Sequence, residues 1–468
     1  MGLYTIMIAM KIVLIRPYYD SFIFSPSLSL GYLASVIKEN GCEAKIVDAL
    51  RDNLDNEMVL EFLKKEQPDL VGITSISAFY HESVNLAKLI KNNGFKTFLG
   101  GVHPTFLPYS TLNDSNADFV VCGEGEIAVK ELIKQNLNPE GIQGIYTISD
   151  LSSDEEKFLF AKQVEDLDEI PMPDWEQLRP DLLPKAPHGA FAKGFPIGTI
   201  MTSRGCPYNC IFCASPAFYG RKVRFRSVDK ILDEAQYLKD RFNIKEIQIV
   251  DDNLALRKEF LLEFCQKYID RKIGLPWSCP NGLRADKLDD EICKSLKKAG
   301  CYYVAVGVES GDEKMLMSIN KSETLEEIER GINCLKRAKI VVQGNFIIGH
   351  HCETRESLKN TLNFIDKLAL DRLNLEILEL LPGSELWKNL SGKFTPNFTT
   401  SSSKVPTIKN PEFSKEELST ILEKASKKFY SKPVRLLKLL SLIKISQLSY
   451  ILKRLSAYKL ISFFKKNT

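Results

Sequence analysis

From Lys11 to about residue 135, short apolar runs (Ile12–Ile15, Ala44–Val47, Leu70–Thr74, Thr97–Leu99 and Phe119–Val121) alternate with stretches whose apolar positions recur at helical spacing. This rhythm predicts a doubly wound α/β domain built on five parallel strands, a sheet that takes ligands beyond the carboxyl ends of its strands. The residues at those ends are small or polar: Ser25 to Gly31, Ser75 and Ser77, Gly100-Gly-Val-His-Pro104, and Gly123-Glu-Gly-Glu126. Small residues there let a large flat ligand or a nucleotide tail approach the backbone.

The rhythm lapses between 141 and 195, a stretch containing Pro171-Met-Pro173 and read as a partly structured linker draped between domains. It resumes with apolar runs at Thr199–Met201, Ile247–Val250, Pro276–Cys279, Tyr303–Val308, Val341–Ile348 and Leu373–Leu380, with helical patterns near 228–242, 257–271, 287–299, 324–338 and 354–368 between them. Six such repeats predict a partial (βα)6 barrel related to the eight-stranded TIM barrel, with its chemistry at the carboxyl ends of the strands. The expected division is therefore 10–140, a linker 141–195, a barrel 196–390 and a basic helical tail 391–468.

Charge divides the chain as sharply as pattern does. Ten Lys and two Arg follow Glu423 with no Asp or Glu, so a chain of net charge +3 carries +12 there and −9 elsewhere. A basic excess confined to one end argues against a broad nucleic-acid surface, and no nucleic acid is expected. From Pro433 to Lys466, Leu, Ile, Phe and Tyr interleave with the cations. Such a segment can cap the acidic body or lie on an anionic membrane, yet it lacks the roughly eighteen consecutive apolar residues of a membrane span. Residues Met1 to Ala9 are also too short to span, and Met10 can serve as the start of the protein. With no signal peptide and mostly scattered thiols, the expectation is a cytoplasmic protein, with peripheral contact at the inner membrane face through the tail.

Three of the eleven cysteines are not scattered. Cys206, Cys210 and Cys213 lie in Thr202-Ser-Arg-Gly-Cys-Pro-Tyr-Asn-Cys-Ile-Phe-Cys-Ala214, directly after the first barrel strand. Three thiolates so spaced can hold three irons of an iron–sulfur cube and leave the fourth open to a small chelating molecule. Structural zinc is normally closed by four ligands, and no partner Cys-x-x-Cys or His-x-x-x-His occurs elsewhere. The loop resembles the Cys-x-x-x-Cys-x-aromatic-Cys motif of the radical S-adenosylmethionine superfamily, with Phe212 as the aromatic residue. The first domain is similar to the Rossmann-like cobalamin-binding domain that precedes many of these enzymes, including its Gly-Gly-x-His-Pro and Gly-Glu-Gly-Glu turns.

The resemblance implies a 4Fe-4S cluster on Cys206, Cys210 and Cys213, with S-adenosylmethionine on the open iron as the source of a 5'-deoxyadenosyl radical. It places Phe212 near the adenine, Glu309 and Ser310 on the methionine or ribose, and the paired Asp251 and Asp252 at a strand end facing the same cofactor. Ser75, Ser77, Gly100, Gly101 and Glu124 would face cobalamin. The Asp-x-His-x-x-Gly loop that gives other cobalamin proteins a lower axial histidine is missing, since Tyr18 to Phe24 contains no histidine. His350-His-Cys-Glu353 stands where Leu-Pro-Gly-Glu is common in the family, so His350, His351 and Cys352 are candidates for donating a proton or hydrogen atom or for contacting substrate.

The function so implied is methylation of a poorly activated carbon of a small molecule, lipid-linked if the tail meets a membrane, with electrons from a flavodoxin or ferredoxin. Oxidative cyclisation or ring rearrangement within the same family is the alternative enzyme class, and a cobalamin or redox sensor is the non-enzymatic one. Methylthiolation of tRNA fits poorly, because Cys42 and Cys122 are too few for a second cluster in the first domain.

Overall fold

The computed structural model describes residues 10–21, 23–151, 158–186, 192–390, 410–433, 435, 437 and 444–447. The leader and most of the basic tail therefore lie outside the described residues. Two six-stranded sheets organise the rest.

The first sheet contains β1 (Lys11–Arg16), β2 (Glu43–Asp48), β3 (Leu70–Thr74), β4 (Thr97–Gly100), β5 (Phe119–Val121) and β6 (Ile145–Tyr146), in the order β2-β1-β3-β4-β5-β6. The first five strands are parallel and helices cover both faces, which is why Ile12 to Ile15 are all buried. A sixth strand was not expected. β6 joins antiparallel to β5 through Val120↔Tyr146 and Val121↔Ile145, and two residues are too few to give a periodic signal.

The second sheet contains β7 (Ile197–Ile200), β10 (Glu246–Ile249), β11 (Trp277–Leu283), β12 (Cys301–Glu309), β13 (Val341–Ile348) and β14 (Arg372–Ile377). It runs β14-β13-β12-β11-β10-β7 with every pairing parallel. A small antiparallel ribbon, β8 (Ser203–Arg204) with β9 (Arg224–Phe225), interrupts the rhythm after β7. The crossover helices begin where capping residues dictate. Ser227, Asp289, Thr324 and Thr354 each accept a first-turn backbone N–H, and Thr324 forms a full capping box with Glu327. Edge strand β14 is covered by the helix Lys415–Tyr430: Phe429 is buried, and the Tyr430 hydroxyl accepts from Leu373 N and donates to Leu373 O.

The stretch 141–195 is not a drape. Trp175 is fully buried, its indole N–H donates to Glu234 Oε1 at 3.0 Å, and Trp175 and Leu178 belong to the barrel's own apolar core. Gly31 of the first domain packs so closely on Leu178 that a Cβ there would lie 2.5 Å from it. A few large side chains, rather than a periodic pattern, anchor this wedge between the two sheets.

At the amino end of the barrel strands, Glu246 accepts from Ser278 Oγ (3.1 Å), Tyr302 OH (2.7 Å) and Lys193 N (2.5 Å). Burial pushes its carboxyl up to about 7. A carboxyl raised on folding takes up a proton in the native state, so its contribution favours the fold at low pH and is lost as pH rises through about 7. This group is expected to cost on the order of 3 kcal/mol at pH 8 relative to pH 4. Glu246→Gln should flatten that part of the stability profile in urea titrations at pH 5, 7 and 8; an unchanged slope would remove Glu246 as its source.

Candidate functional site

The cysteine loop leaves β8 and returns through β9. Gly205 has φ +102°, and a Cβ there would lie 2.6 Å from Lys222 O, so the strands can close only around a glycine. The loop is then sewn to its surroundings: Ile211 N donates to Ile319 O (3.1 Å), Leu386 N to Ile211 O (2.8 Å), and Ser215 Oγ to Asp252. The Arg284 guanidinium lies 3.6 Å from the centre of the Tyr208 ring, clamping the turn between the first two cysteines.

Cys206, Cys210 and Cys213 are all free and partly exposed, whereas Cys42, Cys122, Cys265, Cys279, Cys293, Cys301 and Cys334 are buried. Burial raises the thiol pKa of all three, that of Cys213 to about 12, and their mutual repulsion adds to the rise at Cys210 and Cys213. Groups that repel as neighbouring thiolates are stabilised together by bound iron. Ser215 N donates to Cys213 Sγ at 3.4 Å, the kind of bond that tunes a cluster's sulfur. Among the described residues no three His, Cys, Asp or Glu side chains converge as ligands of a single ion. A cube needs no such convergence, because its thiolates bind separate irons at separate corners. The donor set therefore fits a 4Fe-4S cluster.

The barrel mouth beside the loop holds a cavity of about 260 Å³ lined by strand-end residues, among them Asp252, Asn281, Arg284, Glu309, Lys321 and Asn345. Glu309 is held at φ +65°, and its Oε1 lies 3.3 Å from Lys321 Nζ, which is also 3.3 Å from Glu323 Oε2. Lys321 is buried, and the hydrophobic pattern gives no hint of it. The available signal was a lysine between two turn-forming residues, Asn320 and Ser322, both of which the structure holds at positive φ.

The paired aspartates separate. Asp252 is exposed to the cavity, whereas Asp251 is buried and accepts from Thr202 N (2.6 Å), Thr202 Oγ1 and Ser203 Oγ (2.6 Å), so that it braces the base of the cysteine loop. Burial raises its carboxyl to about 6. Ser310 is turned away into the next helix start, where it lies 3.0 Å from Thr361 Oγ1 and accepts from Asp312 N.

His350 is fully buried and meets Phe212 edge-on, with ring centres 6.1 Å apart. Burial lowers its imidazole to about 4, so it is neutral at physiological pH. Its carbonyl accepts from Asn410 Nδ2. His351 is half-buried, and Cys352 is exposed with its sulfur 3.5 Å from Ser318 Oγ. These three do not line the barrel-mouth cavity, which β13 borders through Asn345, Phe346 and Ile347 instead.

A second cavity of about 120 Å³ opens at the carboxyl ends of β1, β3, β4 and β5. Leu14, Leu30, Leu33, Phe98, Val121 and Val129 give it apolar walls, and Gly72, Gly100, Gly101, Gly123 and Gly125 keep it narrow but open. At Gly100 an added Cβ would meet nothing nearer than 3.8 Å, whereas at Gly101, with φ +107°, it would lie 2.6 Å from Ser75 O. An apolar slot floored by glycine fits the flat tail of a cobalamin. Ser75 is buried, and Ser77 Oγ lies 3.1 Å from Nδ1 of His103. His103 is itself fully buried against Tyr80, with ring centres 3.8 Å apart. Burial lowers that imidazole to about 3.

Glu124 and Glu126 border this cavity, and so does Arg204 of the barrel. Arg204 Nη1 donates to Glu124 Oε2 (2.6 Å) and Nη2 to Glu126 Oε1 (2.7 Å), while Arg224 grips the other side of Glu124. Neither arginine was foreseen: Arg224 sits among Arg221, Lys222 and Arg226, and nothing in the sequence sets it apart from them.

A cluster-binding loop on a partial barrel, joined through a buried ionic contact to a nucleotide-tail slot, defines a radical enzyme with a cobalamin domain. Family comparison agrees: the radical SAM superfamily profile matches residues 200–365 and the B12 binding domain residues 23–133. An uncharacterised methyltransferase of Pyrococcus horikoshii is 32% identical over 92% of this chain and 94% of its own. An anaerobic magnesium-protoporphyrin IX monomethyl ester cyclase of Rubrivivax gelatinosus is 28% identical over 82% of this chain and 70% of its own. Among solved structures, the radical S-adenosylmethionine methyltransferase TsrM from Kitasatospora setae, with cobalamin and a [4Fe-4S] cluster bound, shares the fold at TM-score 0.69 and 16% identity, covering 94% of this chain and 92% of that one.

The chain belongs to the cobalamin-dependent radical S-adenosylmethionine methyltransferase family. It is an enzyme whose cofactors are a 4Fe-4S cluster, S-adenosylmethionine and cobalamin.

Proposed function

We propose that this enzyme adds a methyl group to a poorly activated carbon of a small molecule. The observation that carries the reading is the placement of the cysteine loop and the cobalamin slot on opposite sides of one buried contact, Arg204 with Glu124 and Glu126. When bound, the cluster and S-adenosylmethionine supply a 5'-deoxyadenosyl radical, and cobalamin supplies the methyl group.

Cys206, Cys210 and Cys213 would hold the cluster, with Asp251 bracing their loop and Arg284 fixing Tyr208. Asp252, Glu309 and Lys321 offer charged atoms at the barrel mouth for the amino and carboxylate groups of S-adenosylmethionine. Phe212, backed by His350, gives an apolar edge for the adenine. Gly100, Gly101 and Glu124 border the cobalamin slot, whereas Ser75 and Ser77 act from behind it through the backbone and through His103. Neutral, buried His350 serves packing better than proton transfer. The domain limits 10–140, 141–195, 196–390 and 391–468 are kept as a working division, although β6 carries the first sheet past 140 and the helix Lys415–Tyr430 packs on the barrel. An external low-potential donor such as a flavodoxin or ferredoxin provides the electrons, two for each methyl group added: one S-adenosylmethionine is spent as radical source and another as methyl donor. No described helix is long and apolar enough to cross a membrane. The basic residues beyond Lys432, past the helix that covers β14, favour contact with an anionic surface, and so a lipid-linked substrate.

The cyclase relative supports a second reading, hydrogen abstraction with no methyl added. The two separate in one experiment: reduced enzyme is incubated with S-adenosylmethionine carrying a deuterated methyl group and a small-molecule extract of the source cells. Methyl transfer yields a labelled product together with equal amounts of 5'-deoxyadenosine and S-adenosylhomocysteine. Deoxyadenosine with an extract component depleted but unlabelled would favour cyclisation.

A further inference from the structure

The cysteine loop has a base, and the base is made of two arginines. On the β8–β9 ribbon, Arg204 stands directly opposite Arg224. Like charges in that cross-strand position repel, and both guanidiniums are buried, with side chains 6% and 3% exposed. What makes the arrangement stable comes from the other domain. The Glu124 carboxylate sits between them, taking Nη1 of Arg204 on Oε2 and Nη2 of Arg224 on Oε1, while Nη1 of Arg224 also reaches Glu124 Oε2 (3.2 Å) and Val164 O (2.6 Å). Glu126 takes the second arm of Arg204, and the Tyr32 ring covers that guanidinium at 5.2 Å. Arg204 is two residues from Cys206, and Arg224 closes the same loop. Glu124 and Glu126 lie in the turn after β5 that borders the cobalamin slot. One buried, multiply bonded ion cluster therefore joins the floor of one cofactor site to the root of the other, with the linker drawn in through Val164.

We propose that the Arg204–Glu124–Arg224 bridge is a registration device and that Arg224 is a positioning residue: it fixes the cobalamin domain on the root of the cluster loop, so that a methyl group can pass from S-adenosylmethionine in the barrel to cobalamin in the neighbouring domain. This rests on the function proposed above. With both cofactors bound and an external reductant supplying the electrons, cobalamin would be the methyl acceptor and S-adenosylmethionine the donor, its carbon–sulfur bond breaking with S-adenosylhomocysteine as the leaving group. This handover needs alignment across the domain junction, whereas radical formation is confined to the barrel. Arg224 lines neither cavity, so its removal should separate the two reactions. A misplacement of about 1 Å is worth on the order of a hundredfold in such a transfer.

The test uses full-length enzyme reconstituted with iron, sulfide and cobalamin, reduced with titanium(III) citrate and given S-adenosylmethionine alone. Substrate-free 5'-deoxyadenosine reports the barrel, and S-adenosylhomocysteine reports the handover. The magnetic interaction between reduced cluster and cob(II)alamin, read by electron paramagnetic resonance, reports their separation independently of turnover. In Arg224→Gln, deoxyadenosine formed per bound cluster should stay within about twofold while S-adenosylhomocysteine formed per bound cobalamin falls on the order of tenfold to a hundredfold and the cluster–cobalt interaction spreads. Arg224→Lys keeps the charge and the fold but cannot hold both Glu124 and Val164, so a smaller fall of the same kind is expected if the glutamine variant does not fold. The two yields, so normalised, falling together, or neither falling, would overturn the proposal. A wild-type enzyme that binds no cobalamin and forms no S-adenosylhomocysteine would instead overturn the functional reading, and the device with it.

Discussion

Replacing Cys210 by alanine is expected to abolish 5'-deoxyadenosine formation, by more than about a hundredfold, while leaving the fold intact. Cys210 lies on a partly exposed loop outside the apolar core, so its loss should change stability by no more than about 0.5 kcal/mol. What disappears is one of three iron ligands. Anaerobic reconstitution followed by iron and sulfide analysis should give a small fraction of the wild-type cluster. The control is Cys279→Ala: that thiol is fully buried in the barrel core, and burial holds its pKa well above the ordinary value. Its loss should cost about 1 kcal/mol through the small cavity left, with iron content and deoxyadenosine formation unchanged. Equal iron loss in the two variants would show that the cysteine loop is not the cluster site.

The second large effect is expected at Gly205. Alanine there meets both a positive φ of +102° and the Lys222 carbonyl at 2.6 Å. Neither obstacle can be relieved without moving the ribbon, so the cost is on the order of 2–3 kcal/mol, concentrated at the root of the cysteine loop. Cluster content should fall severalfold even where circular dichroism shows a folded protein. Gly41 supplies the contrast, since it also has a positive φ (+80°) but nothing lies within 4 Å of an added Cβ. Gly41→Ala should cost only about 1 kcal/mol and spare the cluster. A Gly205→Ala enzyme with full cluster content would mean that the loop root does not control assembly.

Both sheets were readable from the chain because buried parallel strands announce themselves as apolar runs, and β13, Val341–Ile348, falls on the limits the pattern gave. Pattern failed where structure depends on single residues. β6 has only two residues, β8 and β9 have two each, and the wedge at 141–195 is held by Trp175 and its bond to Glu234. At the site, the cysteines were legible because three thiols at fixed spacing in one short loop suit a metal cluster and little else. Arg204 and Arg224 were not, because Arg224 is one of four cations between Arg221 and Arg226, and a sequence does not show whether an arginine points to solvent or to a carboxylate 80 or 100 residues away. The separation of Asp251 from Asp252 had the same cause: adjacent side chains at a strand end face opposite ways, so that one braces the loop and the other meets the cavity.

The most direct test of the two-cofactor site is made on wild-type protein purified and reconstituted without oxygen, supplied with cobalamin and S-adenosylmethionine, reduced, and assayed for 5'-deoxyadenosine together with tightly bound cobalamin. Deoxyadenosine formation with about one cobalamin retained per chain is the expected result. Deoxyadenosine without retained cobalamin would contradict the assignment of the slot bordered by Gly100, Gly101 and Glu124, and the absence of both would contradict the assignment of the cysteine loop as well.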